Sequence, residues 1–132
     1  MIDVRVQSAD FDPGGQLARL GELKKTAVAG FVGRLEAGED VTKILVDHHA
    51  GLARPELQRI AREAGERWPL AGIILIHRHG RIEPCGRVLL VGVAASDVDQ
   101  AGAACAWLVA QVRARAPFWR KDLLADGTGR WR

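Results

Sequence analysis

Strict alternation of apolar and polar side chains marks IDVRVQ (2–7) as a strand, because successive strand residues point to opposite faces. The next segment, DPGGQLARLGEL (12–23), changes period. Asp-Pro is a helix-start signal, and Leu17, Leu20 and Leu23 recur at helical spacing, although two glycines weaken the first turn. TAVAGFVG (26–33) predicts a buried strand, RLEAGED (34–40) a charged turn, and VTKILVDHH (41–49) a strand with one partly polar face. ARPELQRIAREAGERW (53–68) carries the clearest helical pattern: Leu57, Ile60, Ala61, Ala64 and Trp68 form one apolar stripe, with Pro55 in the first turn and Pro69 as the stop.

Two nearly continuous apolar runs follow, AGIILIHRHG (71–80) and GRVLLVGVAA (86–95), joined by RIEPC. Runs of this kind predict central strands covered on both faces. Residues 97–115 predict a last helix that buries Ala101, Ala104, Cys105, Leu108 and Val112. Ser96 is the expected N-cap, and Asp97 and Asp99 complement the helix dipole. The order β-α-β-β-α-β-β-α plus a tail predicts an α+β domain of two layers, with mixed strand pairing and flanking helices. Residues 1–132 are expected to form one domain, with no internal repeat or linker.

Composition is that of an ordinary globular chain, 48% hydrophobic and 27% charged. No apolar run approaches the roughly 20 residues that span a bilayer, and the N-terminus lacks a secretory apolar region, so a cytoplasmic protein with no membrane partner is expected. Cys85 and Cys105 lack metal spacing and predict reduced packing thiols. The net charge of +3 is unevenly spread. Arg113–Arg132 holds six basic and two acidic residues, whereas the other 112 residues carry thirteen basic and fourteen acidic. The excess falls on VRARAPFWRK (112–121), where four cations surround a proline and two aromatics. Local positive charge points to an anionic partner.

Other candidate chemistry is thin. His77 and His79 share one strand face with Arg78 on the other, and His48 and His49 point opposite ways; no Cys or carboxylate sits at ligand spacing to them, so no metal is expected. Nucleotide-binding loops and hydrolase nucleophile motifs are absent, and no cofactor is expected. A nucleic-acid role would need an extended basic face, which the acidic balance elsewhere denies. For the basic segment two readings stand level: an anion site, or cations that cap a helix C-terminus.

The residues carry more than their composition. RAPFWRK (115–121) resembles the R-A-P-F-W-K segment of the large, catalytic subunit of molybdopterin synthase. AVAGFVGRL (27–35), LVDHHAGL (45–52), RWPL (67–70), IHRHG (76–80), the strand VLLVGV (88–93) and GRW (129–131) resemble further pieces of that family in the same order. The resemblance implies an α/β hammerhead-like fold and a homodimer within a heterotetramer. It implies a small ubiquitin-like partner, whose C-terminal Gly-Gly thiocarboxylate gives its sulfur to cyclic pyranopterin monophosphate. By matching positions it implies Arg113 and Lys121 as catalytic residues. Arg34, Arg115 and Arg120 join them as substrate ligands, and Phe118, Trp119, His77 and Arg78 form the pocket for the partner's tail.

This chain also departs from the family pattern. The lysine two residues before R-A-P-F-W is Arg113, and the lysine after the tryptophan is Arg120, followed by Lys121. A family arginine falls near Glu36, with Arg34 as its replacement. A His-Arg pair at the start of the last helix is Asp97-Val98, and an arginine past the tail tryptophan has only Arg132 as a counterpart. Arginine holds phosphate well but does not readily give up a proton. The alternative implied by these departures is a catalytically impaired relative that serves as a binding protein on the same scaffold.

Overall fold

The computed structural model describes residues 1–132. Its elements are β1 (Ile2–Gln7), α1 (Pro13–Gly21), β2 (Ala27–Arg34), β3 (Val41–His48), α2 (Ala53–Arg67), β4 (Leu70–Arg78), β5 (Gly80–Ile82), β6 (Arg87–Ala95), α3 (Val98–Arg115), β7 (Phe118–Leu124) and β8 (Gly129–Trp131). They form two four-stranded sheets, ordered β1-β4-β6-β2 and β5-β3-β7-β8. Only β1 pairs in parallel, with β4; the other pairings are antiparallel. This is the mixed α+β architecture that the element order predicts.

The central position of β4 and β6 explains their unbroken apolar runs. Ile73 and Leu75 of β4, with Leu89, Val91 and Val93 of β6, pack under α2 and α3. The alternate residues Ile74, Ile76, Leu90 and Ala94 pack with Leu20 of α1 on the opposite face. Each fully buried Leu or Ile contributes about 1.5–3 kcal/mol by leaving water. Close approach of α1 depends on glycine: a Cβ on Gly72 would lie 2.9 Å from Leu20, and one on Gly92 would lie 2.7 Å from the same side chain. No helix is long and apolar enough to cross a membrane.

Four expectations change. β2 is not buried: it forms the outer edge of the first sheet, leaving Val28 40% and Phe31 37% exposed. The RIEPC connector begins inside a strand, because β5 crosses to pair with β3 in the second sheet. The tail is structured too: β7 pairs along β3, and β8 returns on β7. Asp97, not Ser96, caps α3, its carboxylate accepting the Gln100 N–H at 2.8 Å. Asp97 therefore has a structural task that a phosphate-binding residue could not share.

The cysteines differ as well. Cys105 is buried in the main core, and burial pushes its thiol pKa up. Cys85 is exposed in the turn before β6, at φ 64°.

Candidate functional site

The two sheets meet at a cavity of about 440 Å³. Five elements converge there. β2 supplies Phe31, Gly33 and Arg34, and β4 supplies His77, its penultimate residue. Val88 and Leu89 come from the start of β6, Val112 and Arg113 from the last turn of α3, and β7 starts at Phe118. The β2–β6 register shifts between Gly33, which pairs with Leu89, and Arg34, which pairs with Arg87; Val88 is the extra residue on β6, and the bulge lets Val88 and Leu89 border the same space.

The electrostatics are one-sided. No carboxylate lines the cavity. Arg34 and Arg113 are both exposed and belong to none of the chain's ion pairs or side-chain hydrogen bonds. Arg113 leaves the last turn of α3, where the helix C-terminus favours a cation. Two unpaired guanidinium groups on a partly apolar wall form an anion-binding arrangement with forked donors suited to phosphate or carboxylate.

Behind the cations lies an aromatic stack. The His77 ring lies 3.5 Å from the Phe118 ring, centroid to centroid, with 10° between planes. The His48 ring lies 6.0 Å from the Phe118 ring and 4.2 Å from the His79 ring, centroid to centroid. Burial is the main cause that lowers the His77 pKa to about 4; a hydrogen bond with the Arg78 backbone opposes it, and His48 and His79 add to it. No group of three or more His, Cys, Asp or Glu side chains comes together to hold a metal ion.

A second groove opens beside the first. Ala29 and Gly30 of edge strand β2 face Gly102, Ala106 and Ala110 of α3 across about 550 Å³. Phe31 and Arg113 border both spaces, so the groove runs into the cavity. Its floor is made of small side chains, and the outer backbone edge of β2 has no partner strand.

Of the residues singled out from the sequence, the fold brings together Arg34, Arg113, His77 and Phe118. The others lie elsewhere. Arg115 bridges to α2, with its Nε 2.9 Å from Glu56 and a second ion pair to Glu63, and these contacts raise its pKa. Arg120 shares a face of β7 with Phe118, but its guanidinium donates to Asp122 at 2.9 Å and to the Glu36 carbonyl. Trp119 and Lys121 point to the other face of β7, where the Lys121 ammonium lies 5.3 Å from the Trp131 ring. Arg78 turns away from His77 and donates to the carbonyls of Ser8 and Arg87.

Sequence reasoning gave no part in the site to Phe31, Gly33, Val88 or Val112. The available signal was the aromatic in AVAGFVGR, one residue from a glycine and three from an arginine.

Comparison with known proteins supplies the family. The family model described as MoaE protein matches residues 6–115. A molybdopterin synthase catalytic subunit from Pseudomonas aeruginosa is 39% identical over 97% of this chain and 88% of its own length. One from Mesorhizobium japonicum is 41% identical over 97% of this chain and 83% of its own. A solved structure, the molybdopterin biosynthesis MoaE protein from Burkholderia ambifaria, superposes with a TM-score of 0.86 at 34% identity, covering 99% of this chain and 88% of that one. Fold, chain coverage and identity agree, and the protein belongs to the MoaE family.

Proposed function

We propose that this protein is the catalytic subunit of a molybdopterin synthase. It takes sulfur from the C-terminal Gly-Gly thiocarboxylate of a small ubiquitin-like subunit and delivers it to cyclic pyranopterin monophosphate, giving molybdopterin. The observation that carries this reading is the cavity in which Arg34 and Arg113 stand unpaired with no carboxylate among the lining residues, in a chain of the MoaE family. Both reactants are anions. Arg34 and Arg113 hold the substrate phosphate and stabilise the oxyanion formed when the acyl carbon is attacked, an interaction worth about 2.7–4 kcal/mol per donor in related chemistry.

The partner's tail enters along the groove between β2 and α3. Glycines need little width, and the small floor residues Gly30, Gly102 and Ala106 supply a narrow apolar channel. Backbone groups on the free edge of β2 can hydrogen-bond to an extended tail. Phe31 and Phe118 wall the end where the thiocarboxylate meets Arg113. In this reading residues 1–132 act as one domain in the cytoplasm, as a homodimer within a heterotetramer. Arg115 and Arg120 support the site through structure rather than by binding substrate.

Reconstitution tests this reading. The purified protein, mixed with its thiocarboxylated small subunit and cyclic pyranopterin monophosphate, is expected to form the dithiolene product and to co-elute with the small subunit on gel filtration. Co-elution without product at stoichiometric enzyme would support the binding-protein alternative instead.

A further inference from the structure

The proposed reaction consumes water. Once sulfur has bonded to the substrate carbon, it remains joined to the partner's acyl carbon as a thioester. Release needs water to add at the carbonyl carbon, and that water must lose a proton. Arg34 and Arg113 cannot accept it, because a guanidinium stays protonated in proteins and has no acceptor atom. The cavity is lined by no Asp, Glu, Lys or Cys, and its one titratable base is His77.

The His77 ring is held in a defined tautomer. Its Nδ1 lies 2.9 Å from the Arg78 carbonyl oxygen. A carbonyl only accepts, so Nδ1 carries the hydrogen and Nε2 carries the lone pair. Nε2 makes no hydrogen bond, yet no side-chain nitrogen in the protein is both fully buried and unpartnered. Nε2 therefore opens onto the cavity that His77 lines. Stacking on Phe118 fixes the ring plane.

We propose that His77 is the proton acceptor for release of the transferred sulfur, an assignment that rests on the function proposed above. Water adds to the acyl carbon as Nε2 takes its proton; the C–O bond forms, the C–S bond breaks, and the imidazolium returns the proton to the departing thiolate. Thioester plus water becomes carboxylic acid plus thiol, and the acid ionises to solvent. No oxidant or reductant is needed.

The surrounding charges fit this role. Arg34 of β2 and Arg113 of α3 line the same cavity, while the His48 ring of β3 lies 6.0 Å from the Phe118 ring and 4.2 Å from the His79 ring. The Arg78 guanidinium is bound to the Ser8 and Arg87 carbonyls. Burial and the neighbouring histidines keep the ring neutral when the cavity is empty. Anionic reactants between Arg34 and Arg113 raise its proton affinity toward the working range. The assignment also explains how a chain with Arg113 where the resembled family has lysine can still move protons.

The test is steady-state product formation by His77→Gln and His77→Ala, with the thiocarboxylated small subunit in excess and cyclic pyranopterin monophosphate varied. The expected result for both is a kcat lower by about 10²–10⁴-fold, the usual contribution of a general base, with KM within about threefold. Added imidazole is expected to restore at least about tenfold of the His77→Ala rate, because the vacated space admits the missing base. A folded variant with kcat within about threefold of wild type overturns the assignment, as does a loss that imidazole does not relieve. Should His77→Ala fail to fold, His77→Gln decides: a kcat loss at constant KM supports the role, and any other pattern contradicts it. An active wild type with an equally active variant sinks this assignment alone. An inactive wild type sinks the proposed function, and the assignment with it.

Discussion

Arg113 and Arg115 leave the same last turn of α3 in different directions. Two residues along a helix correspond to roughly 200° of rotation, so one side chain faces the sheets and the other faces α2. Arg115 meets Glu56 and Glu63 there and becomes a strut between helices. Arg113 meets no carboxylate and borders both the cavity and the groove. The second sheet repeats the contrast. Asp122 is 1% exposed and gathers Arg120 at 2.9 Å, Arg132 at 3.5 Å and Arg130 at 3.8 Å, so half of the segment's six cations share one anion. The positive charge concentrated in the C-terminal segment thus divides into a structural part and a chemical part. Position relative to the acidic residues of α2 and β7 decides which is which.

Removing the shared anion should have the largest effect. Asp122→Ala leaves the Arg120 guanidinium without its carboxylate and with only the Glu36 carbonyl, and breaking a buried pair costs about 3–5 kcal/mol. A denaturant melt should show that loss; a shift below about 1 kcal/mol, the value of an exposed pair, would erase the distinction between the two arginine sets. Next comes the chemical set. Arg113→Ala should lower kcat/KM by about 10²–10³-fold, the effect of deleting one oxyanion donor, while unfolding free energy stays within about 0.5 kcal/mol.

His77 gives a pH signature. Its folded pKa of about 4 lies below the usual 6.5, so the unfolded chain binds more protons between those values. Stability should therefore rise with pH from about 4 to 6.5 and then level off, by an amount of order 3 kcal/mol for a shift of this size. His77→Gln should flatten that rise in melts across the window. The smallest effect belongs to the strut: Arg115→Ala, at a site 28% exposed, should cost about 1 kcal/mol in a thermal melt and leave kcat/KM within about threefold.

How much of this was legible in the sequence follows from range. β4, β6, α2 and α3 were readable because burial on both faces, or on one helical stripe, writes a local pattern. β7 was not, because its polar residues Arg120 and Asp122 pair with each other on the inner face, which removes the apolar alternation that marks a strand. β5 is three residues long and exists only because β3 offers it an edge. At the site, the resemblance brought out Arg34, Arg113, His77 and Phe118, which the fold then gathers. It could not separate them from Arg115, whose partners Glu56 and Glu63 lie 59 and 52 residues away, or from Arg120, whose second acceptor, the Glu36 carbonyl, lies 84 residues away. Strand phase, unreadable without β7, likewise hid that Lys121 points away from Phe118.

The central claim is that Arg34 and Arg113 hold the anionic reactants in the cavity between the sheets. Calorimetric titration of cyclic pyranopterin monophosphate into the wild type, Arg34→Ala, Arg113→Ala and Arg115→Ala tests it directly. The account predicts a Kd at least about tenfold weaker for each of the first two variants, the loss of one charge-assisted contact of about 1.5–3 kcal/mol, and a Kd unchanged for Arg115→Ala. Equal affinity in all four proteins, or weakening only in Arg115→Ala, would contradict it.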